Sequence, residues 1–154
     1  MNGSEPKAAQ GAGLPALAAL VLKTGVGLGR LPPAQRSWAL ALAATVLAPG
    51  RAATEAQVNA MLQRCLAEEC GFLDTDHVEL RRWLVDSGFW RRDGFGRAYE
   101  RVPPAELPSP VQAAAAALAG IDPGAWVRQQ RALRQAERDA RRSAWTEVQG
   151  AARG

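Results

Sequence analysis

The chain has 154 residues, of which 47% are hydrophobic, and a formal net charge of +4. This length suits one compact domain with appendages. The longest apolar run, residues 14–22, contains Pro15 and is far shorter than the roughly 20 residues of a membrane-spanning helix. It is also a poor signal peptide, because its basic start is weak and no small-residue cleavage pattern follows it. We therefore expect no membrane partner. Two cysteines, Cys65 and Cys70, make no disulfide-rich framework, which favours a reduced, cytoplasmic setting.

The excess positive charge lies outside the middle of the chain. Residues 1–30 carry three basic and one acidic side chains, residues 31–102 carry nine of each, and residues 103–154 carry seven and five. Nonspecific binding to nucleic acid scales with the number of phosphates that basic side chains neutralise. The equal numbers of basic and acidic side chains in residues 31–102 therefore argue against a strong nonspecific phosphate-binding surface on this segment. They are compatible with a locally basic face.

The first half of the chain predicts two helices and an extended segment between them. Residues 1–25 are assigned to a flexible N-terminus and a short apolar helix from about Leu14. The glycines of the segment 25–29 lack the following Lys and Ser/Thr of a phosphate-binding loop, so a short extended segment is favoured. A second helix is predicted for residues 34–47 because Pro32-Pro33 suits a helix start. Its expected buried stripe is Trp38, Leu42, Thr45 and Val46.

Residues 54–102 predict two further helices followed by a β-hairpin. Thr54 and Gln57 fit a capping box at the start of the first of these helices. The second begins after Asp76 and ends where Gly88 suits a left-handed cap. Two strands then flank the turn at residues 93–96. Together with the helix 34–47, this order is typical of an α+β winged helix-turn-helix domain, which we assign to residues 26–102. The connection at residues 67–75 is long for such a motif.

Five arginines of this segment are candidates for contact with nucleic acid. Helical spacing places Arg81 and Arg82 on the face opposite Leu80, where they could reach guanine edges or phosphates. The alternative is an ion-paired structural helix, because the spacing permits pairs of Arg82 with Glu79 and with Asp86. The hairpin adds three further candidates, which suit contact with a DNA backbone or minor groove and are otherwise solvated: Arg91, Arg92 and Arg97.

No cysteine or histidine pattern indicates a metal site or a catalytic site. Cys65, Cys70 and His77, with Asp74 and Asp76 nearby, have the spacing C-x4-C-x6-H, which is not a familiar zinc pattern and lacks a fourth sulfur or nitrogen ligand. The single histidine accompanies no nucleophile motif. We predict a protein that is not an enzyme and that needs no metal and no cofactor.

The last third of the chain predicts a proline-rich linker and two helices. The linker is assigned to residues 103–110, and residues 111–150 to an alanine-rich helix that Gly120 ends and an arginine-rich helix that Asp122 caps. A thin apolar stripe of tryptophan, leucine, alanine and valine runs along the arginine-rich helix. Such a helix could lie along nucleic acid, bind an acidic protein or associate with a second copy of itself.

The middle segment resembles a small bacterial family of domains of unknown function, found alone or as the C-terminal part of proteins described as transcriptional regulators. The resemblance covers about residues 26–102, and its most specific part is the block Leu-Arg-Arg-x-Leu-Val-Asp. It departs from the family at Ala53, where an aromatic residue is usual, and in the long segment between Asn59 and Asp76. The resemblance implies a winged-helix-like fold and an association with regulation, but no ligand or catalytic residue. The matching positions are Thr54-Glu55, Val58-Asn59, Asp76-His77, Leu80-Arg81-Arg82, Leu84-Val85-Asp86, Gly88, Arg92, Gly96 and Tyr99, after a Leu31-Pro32 helix entry.

Two functions of different classes are compatible with these features. The first is a DNA-binding transcriptional regulator, with double-stranded DNA as its partner and the five arginines as its contacts. The second is a protein-interaction module, in which Val78 and Val85 pack against a partner and the basic C-terminal helix binds an acidic surface or dimerises. An arginine surface that spans helix and hairpin favours the first, and an exposed apolar strip from Val78 to Val85 favours the second.

Overall fold

The computed structural model describes residues 14–95 and 97–153, and within them the chain is of the α+β class, with six α-helices and one three-stranded antiparallel sheet. The predicted flexible N-terminus, residues 1–13, and Gly96 of the predicted turn lie outside the described residues. The helices are α1 (residues 14–21), α2 (Pro33–Ala44), α3 (Glu55–Ala67), α4 (His77–Asp86), α5 (Ser109–Ala119) and α6 (Pro123–Arg153). The strands are β1 (Ala53–Thr54), β2 (Trp90–Arg92) and β3 (Ala98–Arg101), and short 3-10 helices span Leu28–Arg30 and Pro104–Glu106.

The sheet has the strand order β1-β3-β2, with β3 at its centre. The predicted hairpin is confirmed: Trp90 of β2 lies opposite Arg101 of β3, and Arg92 lies opposite Tyr99. On the other side of β3, Ala53 of β1 also pairs with Tyr99. Strand β1 was not predicted, because two residues are too few to show an alternating pattern.

The helix ends follow the predicted capping chemistry. Both bonds of the capping box form: the Gln57 amide donates to Thr54 Oγ1 (3.2 Å), and the Thr54 amide donates to Gln57 Oε1 (2.9 Å). The Glu79 amide donates to Asp76 Oδ1 at 2.8 Å, which caps α4. Gly88 has φ +85°, a left-handed conformation that a residue with a Cβ rarely adopts. These local signals therefore fix where α3 and α4 begin and where α4 ends.

Helix α2 is the centre of the core. All its residues from Ala39 to Ala44 are buried, whereas Trp38, Thr45 and Val46 are only half-buried. The predicted single stripe was therefore wrong for these three side chains. Thr45 and Val46 follow the last residue of α2, and Trp38 and Val46 pack only at the edge of the core. The run from Ala39 to Ala44 is buried because α4 packs on one side of α2 and α5 on another.

The segment between α3 and α4 is structured and is anchored to the N-terminal part of the chain. The Val26 amide donates to the Phe72 carbonyl (2.9 Å), and the Asp74 amide donates to the Val26 carbonyl (2.7 Å). Phe72 and Leu73 are buried. The extended segment predicted for residues 25–29 is confirmed only at Val26, which tethers the connection at residues 67–75 to the domain, whereas Leu28 and Gly29 lie in a 3-10 helix.

Helix α5 and the start of α6 complete the core. Helix α5 packs against α2 and buries Val111 and Leu118, and Val127 of α6 is also buried. Arg131 Nη1 donates to the Glu68 carbonyl at 3.2 Å. From Ala132 to Val148 every residue of α6 is exposed, so this 31-residue helix, roughly 46 Å long, docks through its first turns and then projects. No helix in the described part of the chain is long and apolar enough to cross a membrane.

Candidate functional site

A cleft of about 350 Å³ lies between α4 and the β2–β3 hairpin. We call it the α4–hairpin cleft. Helix α4 supplies one wall, and the strands supply Arg92 and Tyr99. Val78 is 42% exposed, Arg82 and Arg92 are exposed, and Val85 is half-buried. The cleft therefore combines basic and apolar groups. Its lining residues are Val78, Arg81, Arg82, Val85, Asp86, Arg92 and Tyr99.

Arg81, the first of the five candidate arginines, joins three elements of the fold. Its Nη1 donates a hydrogen bond to Asn59 Oδ1, and its Nη2 lies 3.4 Å from Glu55 Oε1; both partners are on α3. Its Cζ lies 5.9 Å from the centre of the Tyr99 ring on β3. Only 18% of the Arg81 side chain is exposed. The guanidinium group therefore holds α4 against α3 and β3 at the floor of the cleft.

This geometry predicts different effects for two neighbouring arginines. We expect Arg81→Met to lower the free energy of unfolding by about 1–2 kcal/mol, because it removes a charge-assisted hydrogen bond and a partly screened ion pair. Arg82→Met, the matched control one residue away, should change it by less than about 0.5 kcal/mol. Urea denaturation followed by far-ultraviolet circular dichroism measures both. Equal effects would contradict the structural assignment of Arg81.

Arg82 and Arg92 face the cleft from its two sides. Within residues 14–95 and 97–153, neither makes an ion pair with a carboxylate within 4.0 Å. The pairs of Arg82 with Glu79 and Asp86 that the spacing permits do not form; Glu79 Oε2 instead accepts a hydrogen bond from Thr75 Oγ1 at 2.8 Å. These two guanidinium groups are consequently available to an anionic partner, although Asp86 lies in the same cleft.

The other two candidate arginines have neighbours on the hairpin and on the 3-10 helix that follows it. Arg91 lies 3.6 Å from a carboxylate oxygen of Glu100 and 3.5 Å from one of Glu106, with all three side chains about half exposed. Arg97 lies over the ring of Phe95, with its Cζ 5.1 Å from the ring centre. The structure thus brings Arg82 and Arg92 together with Arg81 in the cleft, and it places neither Arg91 nor Arg97 in the cleft lining.

The hairpin turn is held by Asp93. Its Oδ1 accepts hydrogen bonds from the amides of Arg97 (2.8 Å) and Phe95 (3.2 Å). The bond from the Arg97 amide is the main reason that the pKa of Asp93 lies below its ordinary value of 3.8. The carboxylate is therefore charged at neutral pH. Its stabilising effect on the turn is present above pH 3.8 and is lost as the pH falls through the lowered pKa of the folded state.

The residues considered for a metal site have other surroundings. Cys65 and Cys70 are both buried and free. A hydrogen bond with Cys65, together with burial, raises the pKa of the Cys70 thiol well above its ordinary value. Asp76 caps α4, and His77 Nδ1 lies 3.5 Å from Gln63 Nε2 on α3. In the described parts of the chain, no group of three or more histidine, cysteine or acidic side chains is arranged to hold a metal ion.

The elements that build the cleft lie within residues 77–101, and these residues are part of a match to a known family. Residues 30–101 match DUF2087, a family described as an uncharacterized protein conserved in bacteria. This match confirms the resemblance to a small bacterial domain of unknown function. Searches of curated proteins and of solved structures each find no match. The match covers slightly less than half of the chain; we call residues 30–101 the DUF2087 segment, and α5 and α6 lie beyond it.

Four of the positions that carry the resemblance meet in the structure of the DUF2087 segment. Glu55, Asn59 and Tyr99 surround the guanidinium group of Arg81. Sequence spacing did not indicate this cluster, because its members lie on three different elements and Asn59 is 22 positions from Arg81. The one sequence signal that links these residues is that all of them belong to the motif of the resemblance. Their contacts with Arg81 indicate that this part of the motif stabilises the fold.

Proposed function

We propose that residues 26–102 form a winged helix-turn-helix domain and that the protein is a non-enzymatic DNA-binding transcriptional regulator that acts in the cytoplasm. The element order α2-β1-α3-α4-β2-β3 and the sheet order β1-β3-β2 support the winged-helix assignment. The last of three helices precedes a hairpin, which is the arrangement in which a helix can enter the major groove while the hairpin contacts the backbone beside it. Double-stranded DNA is the proposed partner.

One observation carries this proposal: Arg82 on α4 and Arg92 on β2 are exposed in a single cleft and are free of carboxylate partners among the described residues. Arginine presents a planar fork of donors that suits phosphate oxygens and the edge of guanine. A basic pair that spans helix and hairpin is compatible with simultaneous contact to a base edge and to the neighbouring backbone. The net charge of residues 31–102 is zero, which favours DNA binding through a few specific contacts rather than through a broad basic surface.

The test is fluorescence anisotropy with labelled mixed-sequence duplex DNA over a series of salt concentrations. For Arg82→Ala/Arg92→Ala we expect at least tenfold weaker binding and a salt dependence reduced by about two phosphate contacts. The matched control is Arg30→Ala/Arg64→Ala, which removes the same charge from exposed positions outside the cleft. Equal losses in the two double variants would contradict a specific role of the cleft. Absence of binding at low salt would contradict the proposed function itself.

A second candidate function, binding of an acidic protein, is favoured by the charge distribution on α6. At 100° per residue, five arginines and Trp145 fall within an arc of about 100° that contains none of the acidic residues of this helix. Trp145 is 65% exposed, and the arginines beyond Arg131 are exposed as well. This arginine face of α6 comprises Arg131, Arg134, Arg138, Arg141 and Arg142.

The second candidate is tested separately from the first, with poly-L-glutamate as an acidic probe. We expect salt-sensitive binding that is at least tenfold weaker in Arg134→Gln/Arg138→Gln/Arg141→Gln, because neighbouring arginines on one face act together on a polyanion. The control Arg30→Gln/Arg51→Gln/Arg64→Gln removes the same charge from exposed positions outside α6. Isothermal titration calorimetry measures both. If the two triple variants lose the same affinity, the arginine face has no special role.

A further inference from the structure

Arg101, at the end of β3, lies on the inward side of the sheet. Alternation along the strand places it on the same face as Tyr99, which is buried, whereas Glu100 between them is exposed. Its partner in the hairpin, Trp90, is also buried. The side chain of Arg101 is accordingly half-buried, and it points away from the solvent-facing side of the hairpin.

The guanidinium group of Arg101 has no anionic partner among the described residues. The acidic side chains closest to it in sequence, Glu100 and Glu106, both form their ion pairs with Arg91 instead. Burial without a compensating carboxylate lowers the pKa of Arg101 below its ordinary value. Partial withdrawal of this charge from water carries a cost that pairing with an anion offsets. The folded domain therefore presents a cation that an anion would stabilise.

Beside Arg101 lies a cavity of about 320 Å³ whose walls are mostly apolar. We call it the Arg101 pocket. It is enclosed by the segment after α2, the end of β3 and the turn between α5 and α6. Its size is at the lower end of the range of small-molecule sites, and an apolar lining with one fixed polar group is typical of such sites. Besides Arg101, the lining includes Pro49, Pro103, Leu118, Ala119 and Ile121.

We propose that the Arg101 pocket binds a small apolar carboxylate, whose carboxylate pairs with the Arg101 guanidinium group and whose hydrocarbon part contacts the prolines, Leu118 and Ile121. Arginine binds carboxylates through two parallel hydrogen bonds, which suits recognition of this group. The mostly apolar walls disfavour a strongly hydrated anion such as free phosphate, because they offer few groups that replace its water. This site is separate from the α4–hairpin cleft, with which it shares no lining residue, and it does not depend on DNA binding.

The test is calorimetric titration of the full chain with octanoate and, as an uncharged analogue, with 1-octanol. We expect octanoate to bind at least tenfold more tightly than octanol, since only octanoate offers a charge-assisted pair. Arg101→Met should weaken octanoate binding at least tenfold and leave octanol binding nearly unchanged. Arg64→Met, which removes an exposed arginine elsewhere, is the matched control and should bind octanoate like the original chain.

A second variant tests the pocket without altering the charge. Ala119 is exposed at the rim, so Ala119→Trp should fill the pocket while the fold is retained, and octanoate binding should again fall at least tenfold.

The thermal midpoint of each ligand-free variant shows whether the variant is folded. Arg101→Met should keep or raise this midpoint, since an unpaired charge is replaced by an apolar side chain. Equal affinity for octanoate and octanol, unchanged affinity of Arg101→Met, or no binding up to roughly 5 mM octanoate would overturn the proposal.

Discussion

Trp90→Ala is expected to lower the free energy of unfolding by about 3–5 kcal/mol, which is a large part of the stability of a domain of this size. Trp90 is 1% exposed and is among the largest fully buried side chains of the described residues. Its indole Nε1 donates a hydrogen bond to the Ala44 carbonyl at 3.3 Å, and this bond joins the first strand of the hairpin to the last turn of α2. Truncation to alanine leaves a cavity at the junction of sheet and helix that the surroundings fill only in part.

Trp90→Phe separates packing from hydrogen bonding. Phenylalanine keeps most of the apolar volume but cannot donate, and the Ala44 carbonyl still accepts a bond from the Leu47 amide at 3.3 Å. We therefore expect a loss of only about 1–2 kcal/mol. Urea denaturation followed by circular dichroism at 222 nm measures both variants without depending on tryptophan fluorescence. If Trp90→Ala cost less than Trp90→Phe, the junction would not be a centre of stability.

Features set by neighbouring residues were predictable from the sequence. The capping box of Thr54 and Gln57, the cap at Asp76 and the left-handed Gly88 each depend on atoms within about four positions along the chain, and each is present as expected. The hairpin could be located in the same way, because its turn residues and its apolar strand positions are adjacent in sequence.

The roles of individual arginines were not predictable in this way. Helical spacing places Arg81 and Arg82 on the same outer face, yet Arg81 contacts α3 and β3 whereas Arg82 remains exposed. What separates them is the position of Asn59, 22 residues away, which depends on how α3 crosses α4. Arg101 is a similar case, since its inward orientation follows from the register of β3 with two other strands.

The role of α5 was also not predictable from the sequence, because it depends on contacts with a helix that is distant along the chain. The proline-rich residues 103–110 predict a linker, and the sequence does not indicate which element the alanine-rich helix after this linker packs against. In the structure this helix covers α2, so side chains on both sides of the predicted linker belong to one core. The DUF2087 match ends at residue 101 and thus includes α2 but not the helix that covers it.

A chain that ends at Val102 should therefore be much less stable than the full chain. It lacks Leu107, Val111, Leu118 and Val127, which are all buried, and it exposes the α5-facing side of α2 to water. Burial of a leucine or valine side chain contributes about 1.5–3 kcal/mol. We expect a net loss of about 3–6 kcal/mol, which is the size that truncation of one or two large core side chains produces. Such a loss leaves the remaining domain marginal, since small domains have about 5–15 kcal/mol in total.

The matched control is a chain that ends at Ala140. It keeps α5 and the docked first turns of α6, including Val127 and the bond from Arg131 to the Glu68 carbonyl, and removes only residues that are mostly exposed. Its free energy of unfolding should lie within about 1 kcal/mol of that of the full chain.

Urea denaturation measures the stability of all three chains. Binding of an apolar dye should rise only for the chain that ends at Val102, because only that chain has an uncovered core face. If that chain unfolded at the same urea concentration as the full chain, α5 would contribute nothing to the stability of the DUF2087 segment. The midpoint difference between the two shortened chains thus locates the physical boundary of the domain, which the packing of α5 on α2 places beyond the end of the family match.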